Sequence, residues 1–115
     1  HMSLVHGPAA VGDNTFVGMM AFVFKARIGA NVVIEPGALV MGVTVADNHY
    51  VPAGAVITTQ AQADALPVIT PDYAFRTLND GVLHVNHQLA KGYNGETPAA
   101  VKESGAQAQD AAALP

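Results

Sequence analysis

The sequence contains no cysteine, which excludes both a disulfide framework and a thiolate metal site. Charge is also scarce. Only 12% of the residues are charged, and the five Lys and Arg residues are scattered against nine Asp and Glu, for a formal net charge of −4. No basic patch can form from so few cations, so nucleic acid is not an expected partner. No apolar run approaches the length of a membrane-spanning helix, and no signal peptide is present. The chain also lacks an initiator methionine at position 1. We read His1 as a natural residue rather than a cloning scar, and the chain as the C-terminal part of a longer protein. Its compartment is therefore left open: soluble, cytoplasmic or exported.

What is present is repetition. Half of the 115 residues are hydrophobic, enough for one domain or part of one, and the aliphatics are periodic. Val11, Val17 and Val23 stand six apart, as do Ile28, Ile34 and Val40, and Val45, Val51 and Ile57. The step joining each set to the next is five, so Val11, Ile28 and Val45 begin units seventeen residues apart. Asn14, Asn31 and Asn48 fall at one phase, and Ala21, Ala38 and Ala55 at another. A fixed period of this kind marks a solenoid.

Six residues are too few for a helix with its connection but enough for a short strand and a turn. Three such strands close a triangular coil, so one rung of a parallel β-helix takes seventeen or eighteen residues. The aliphatics point inward and stack rung on rung, with the three alanines beside them near the corners. Asn14, Asn31 and Asn48 sit where a corner turns, since Asn tolerates the left-handed backbone region better than other residues bearing a β-carbon. Val5 precedes Val11 by six, so the coil is already under way at the first residues, and a first rung with nothing beneath it leaves an unpaired edge.

Strand residues alternate in and out, which assigns the outer faces. Ala10, Arg27 and Thr44 form a face that water tolerates. Phe16, Val33 and Tyr50 form a second, and Phe22, Leu39 and Val56 a third, with His6, Phe24 and Met41 projecting on the same side. Two faces are apolar outside as well as inside. A C-terminal helix can cover one, and a threefold homo-oligomer would cover the other.

After Ile57 the period stops. Residues 60–66 suit one or two helical turns ended by Pro67. Thr70, Pro71 and Asp72 read as the N-cap and first turn of a helix. Leu78, Val82, Val85 and Leu89 would make its apolar stripe, Lys91 would lie in its last turn and Gly92 would end it. That helix is expected to lie along a solenoid face, its own or a neighbour's. Residues 94–115 lack periodicity and read as a disordered tail or linker. The expected organisation is thus rungs over 1–59, helices over 60–93 and tail over 94–115.

The stretch His1-Met2-Ser3-Leu4-Val5-His6-Gly7-Pro8-Ala9-Ala10-Val11-Gly12-Asp13 resembles the γ-class carbonic anhydrases, including the related domain of the carboxysomal scaffold protein. The likeness continues through AFVFKARIGANVVIEP, GVTVADNHYVPAGAVITTQAQADALP and VNHQLAKGY, roughly residues 1–93. The resemblance implies a left-handed β-helix and reversible hydration of carbon dioxide to bicarbonate. It assigns His1 and His6 as two of three histidine ligands to Zn²⁺, or to Fe²⁺ or Co²⁺. The third ligand and an acidic proton-shuttling loop would lie upstream of this chain. It assigns Asn86 to holding bicarbonate, a task that suits an amide able to donate and accept. Apolar neighbours such as Phe24 would make room for carbon dioxide. His84 stands where tyrosine is expected.

Spacing restricts how the two histidines cooperate. Five residues of strand span about 16 Å, whereas two imidazoles on one metal, at about 2.1 Å each, need closer backbones. His1 and His6 of one chain are therefore expected to serve two metal sites, each shared across a subunit interface. His49 and His87 lack partners at metal spacing and read as solvated. Two other functions remain open: a trimeric scaffold with this fold and no activity, and a hexapeptide-repeat acyltransferase. The acyltransferase would need a catalytic histidine in a loop beside an acyl-CoA groove, and no such loop is evident.

Overall fold

The computed structural model describes residues 1–94. The tail beyond them lies outside the described residues. The chain forms two compact units, His1–Tyr73 and a second beginning at Ala74.

The first unit holds ten short strands: β1 (Leu4–His6), β2 (Ala10–Val11), β3 (Phe16–Val17), β4 (Phe22–Phe24), β5 (Arg27–Ile28), β6 (Val33–Ile34), β7 (Leu39–Met41), β8 (Thr44–Val45), β9 (Tyr50–Val51) and β10 (Val56–Ile57). Every third strand pairs in parallel, giving stacks β1-β4-β7-β10, β2-β5-β8 and β3-β6-β9. This is the parallel β-solenoid that the seventeen-residue period predicts, and it fits the left-handed β-helix implied by the resemblance. Val23 stacks on Val40, Ile28 on Val45 and Ile34 on Val51, all of them buried. Each such side chain contributes about 1.5–3 kcal/mol on leaving water. Ala26, Val32 and Val43 join the same core, although the six-residue period did not single them out.

One rung is longer than the others. β4 pairs with β7 at an offset of seventeen (Phe22 with Leu39), but β1 pairs with β4 at eighteen (Leu4 with Phe22). The extra residue falls in the corner between His6 and Ala10, where the Gly7–Pro8 bond is cis. Within this chain the inward Val5 and Val11 of the first rung are 47% and 40% exposed, whereas Val23 and Val40 above Val5 are fully buried.

All three corners use the left-handed backbone region. Asn14, Asn31 and Asn48 have φ of 53°, 55° and 61°, as their phase predicts. Asn14 Nδ2 also donates to Asn31 Oδ1 at 3.0 Å, tying successive corners. Sequence reasoning missed the other two corners. One holds Met20 (57°), Gly37 (73°) and Gly54 (70°), and the next Lys25 (51°) and Gly42 (70°). A side chain with a β-carbon costs about 1–2 kcal/mol in this region.

The last rung is closed by three devices. Helix α1 (Gln60–Asp64) is started by a Thr59–Gln62 capping box and, with the residues just after it, buries Ala63 and Leu66 on the core. The Gln60 amide then imitates a strand. Its Oε1 accepts from Thr44 N–H and its Nε2 donates to Thr44 C=O, both at 2.9 Å. A strap over residues 67–73 completes the cover. Tyr50 N–H donates to Pro67 C=O at 3.0 Å, Ile69 N–H donates to Asn48 C=O at 2.7 Å, and His49 bridges antiparallel to Val68. Covering an edge in these ways removes a template for pairing with another chain.

The strap ends on Tyr73, whose ring stacks on Tyr50 with centroids 4.1 Å apart. Its hydroxyl donates to Glu35 Oε2 at 2.6 Å. Burial, then the bond to anionic Glu35, push this phenol well above the ordinary tyrosine range. These contacts explain why the expected helix start at Thr70–Asp72 does not form. Tyr73 N–H donates to Thr70 C=O at 3.0 Å, so Pro71 and Asp72 lie in a turn pinned to the solenoid.

In the second unit, α2 spans Leu78–Tyr93, with Thr77 at its N-cap and Asn94 at its C-cap. Gly92 therefore lies inside the last turn, not beyond it. Leu78 and Val82 of the expected stripe are half-buried, but Val85 and Leu89 are exposed and Gln88 is the buried residue of the helix. Gln88 Oε1 has no hydrogen-bond partner among the described residues. No helix among them is long and apolar enough to cross a membrane.

Candidate metal centre

His6 ends β1, in register with Phe24 of β4 and, one rung further, with Met41 of β7. The alternation of the strand therefore sets all three on one face, as expected from sequence. The imidazole tilts at 59° against the Phe24 ring, centroids 5.0 Å apart. Its Nδ1 lies 3.0 Å from the Gly7 carbonyl oxygen. A carbonyl can only accept, so Nδ1 carries the proton and Nε2 is left with its lone pair. This is how metal-binding histidines are usually held, with one nitrogen anchored and the other presented.

His1 lies at the opposite end of β1. Its carbonyl accepts from Met20 N–H at 3.2 Å, which continues the Leu4–Phe22 register back to the preceding corner. β1 thus runs between the two histidines. Among the described residues, no group of three or more His, Cys, Asp or Glu side chains is placed to hold a metal.

Asn86 lies on α2 in the second unit and is exposed, as are His84 and His87. His49 differs from its expectation as a freely solvated residue. It is half-buried, its Nδ1 lies 2.8 Å from the Asp47 carbonyl oxygen, and its backbone carries the bridge to Val68.

Lys25 joins this neighbourhood without having been singled out from sequence. Its ammonium sits over the Phe24 ring, 5.2 Å from the centroid, and its N–H donates to the His6 carbonyl at 3.2 Å. The signal was available: counting one period on from Lys25 reaches Gly42, so a lysine occupies a glycine column.

Fold and site together define a hexapeptide-repeat β-solenoid that presents histidines at the ends of an outer strand. Comparison of sequences finds similar proteins. Over 93 residues the chain is 57% identical to the carbonic anhydrase of Methanosarcina thermophila, a match covering 81% of this chain and 38% of that protein. It is 45% identical over 93 residues to the carboxysome assembly protein CcmM of a Nostoc species, covering 81% of this chain and 16% of the relative. It is 53% identical over 72 residues to CcmM of Synechococcus elongatus, covering 63% and 13% respectively. No protein-family model matches the chain. The chain is thus homologous to γ-class carbonic anhydrase, as the His1–Asp13 stretch indicated, and it spans well under half the length of these relatives.

Proposed function

We propose that the protein hydrates carbon dioxide reversibly to bicarbonate at a metal shared between subunits of a homotrimer. The observation that carries this reading is the 57% identity to a carbonic anhydrase over 93 residues. The presentation of His6 supports it, because an anchored Nδ1 leaves Nε2 for a ligand bond. Zn²⁺ is the metal proposed, with Fe²⁺ or Co²⁺ as substitutes. Bound zinc lowers the pKa of water to about 7 and so supplies hydroxide at neutral pH.

The residues of this chain divide the remaining work. His6 of one subunit and His1 of its neighbour hold the ion. The Phe24 ring beside His6 excludes water and leaves an apolar space for carbon dioxide. Asn86 orients bicarbonate, donating through its amide nitrogen and accepting through its oxygen. The threefold assembly covers the outward row of the β1-β4-β7-β10 stack, where Leu4, Phe22 and Val56 are exposed in the single chain. A trimeric scaffold without activity is the second reading, favoured by the two assembly proteins among the relatives.

Complementation separates these readings in the protein expressed from its complete open reading frame. His1→Ala and His6→Ala should each abolish metal retention and carbon dioxide hydration. Co-expressed in equal amounts, they should form mixed trimers about three times in four, each with one whole site of three, restoring about a quarter of all sites. Recovery no greater than either mutant alone, with mixed trimers confirmed by mass, would rule out the shared site. A wild-type trimer that retains no metal supports the scaffold.

A further inference from the structure

Lys25 departs from the rule that sets its corner. In its register the preceding rung has Gly7 and the following rung has Gly42, the latter at φ 70°. Lys25 takes φ 51° in the same place, a conformation that disfavours any residue bearing a β-carbon. Exposed Met20 takes φ 57° in another corner of the coil, so the conformation alone marks no site, and it is the presence of a lysine here that needs a reason. Packing does not require it, because Lys25 is exposed.

What the lysine provides is a positive charge in one particular place. Its ammonium lies 5.2 Å from the Phe24 centroid, and that ring lies 5.0 Å from the His6 imidazole on which it is tilted. The order is therefore ammonium, apolar ring, imidazole with Nε2 free. The backbone bond from Lys25 N–H to the His6 carbonyl fixes the two strand ends together. Among the described residues Lys25 has no carboxylate partner. The chain as a whole carries a net charge of −4, so its general field repels an anion, and an unneutralised cation beside His6 creates a local exception.

We propose that Lys25 is a binding residue for a small monoanion at the His6–Phe24 face, drawing bicarbonate in and holding it beside His6 through its ammonium. The naming of bicarbonate rests on the carbonic anhydrase reading. The charge and its placement do not.

The test uses ¹³C-bicarbonate and, separately, thiocyanate as an unreactive monoanion, each titrated into the isotope-labelled chain while the His6 imidazole and Lys25 side-chain signals are followed by NMR. Wild type and Lys25→Arg should show saturable shifts at both residues. In Lys25→Gly the apparent affinity for both anions should fall about fivefold, the upper end for one exposed charge. The glycine variant relieves backbone strain, so it should melt no lower than wild type, and Lys25→Gln provides a second neutral variant. Equal anion affinity in wild type and the neutral variants overturns the proposal, as does loss of affinity in Lys25→Arg. Carbon dioxide hydration by the zinc-loaded, full-length protein is scored separately. Lys25-dependent anion binding without hydration removes the enzyme reading and leaves this one. Hydration with bicarbonate KM unchanged in Lys25→Gly does the reverse.

Discussion

Two glycines, Gly12 and Gly42, test whether the rungs are held by close backbone stacking, because they are glycine for different reasons. A β-carbon built on Gly12 would lie 2.6 Å from the carbonyl carbon and oxygen of Gly29 and 2.7 Å from Ala30 nitrogen. Every one of these atoms belongs to the backbone of the next rung, so no side chain can swing aside. Relief requires the rungs to part where Gly12 N–H donates to Ile28 C=O at 2.8 Å. Overpacking costs about 1–3 kcal/mol, and the strained rung bond adds about 1 kcal/mol. Gly12→Ala should therefore lose about 3 kcal/mol. Gly42 presents the opposite case: a β-carbon there meets nothing within 4 Å, but φ is 70°. Gly42→Ala should lose only the left-handed penalty, about 1 kcal/mol. For a unit of this size about 1 kcal/mol corresponds to roughly 4–8 °C in Tm. Calorimetry at one fixed protein concentration should then place Gly42→Ala modestly below wild type and Gly12→Ala more than about 12 °C below it. A Gly12→Ala variant melting within a few degrees of wild type, or above Gly42→Ala, would refute close stacking as the reason for that glycine.

Two further outcomes follow from the closed end of the solenoid. Tyr73 has its pKa raised by burial and by Glu35, so its neutral form is favoured by folding. That contribution is intact below the unfolded tyrosine pKa of about 10 and is lost as pH rises beyond it. Wild-type Tm should hold steady through neutral pH and fall above pH about 10, whereas Tyr73→Phe should start lower and show a shallower alkaline decline. Parallel alkaline slopes would mean that Tyr73 is not the group responsible. Gln60→Ala removes both amide bonds to the Thr44 edge and should cost about 1–2 kcal/mol, with faster aggregation on heating because the edge is bared. Unchanged Tm and turbidity would show that water replaces the amide without loss.

The period alone determined most of the solenoid. A rung of seventeen residues with an inward aliphatic every six can satisfy its backbone and bury those side chains in few other ways. Strand stacking, the inward aliphatics at every sixth position and the Asn14–Asn31–Asn48 corner all follow from it, whereas Ala26, Val32 and Val43 of the core do not. His6 was placed on the Phe24 face by strand alternation, and its chemistry was suggested by its neighbours in sequence. Other features depended on contacts between residues far apart in the chain, to which a local pattern is blind. Thr70-Pro71-Asp72 has the composition of a helix start, yet Tyr73 is captured by Glu35 and Tyr50, and tertiary contacts override a weak local propensity. Gln60 resembles any surface glutamine until the Thr44 edge stands beside it. Lys25 is an ordinary lysine by composition. Only the stacked register shows that it occupies a glycine position, strained, with its charge beside the ring that His6 leans on.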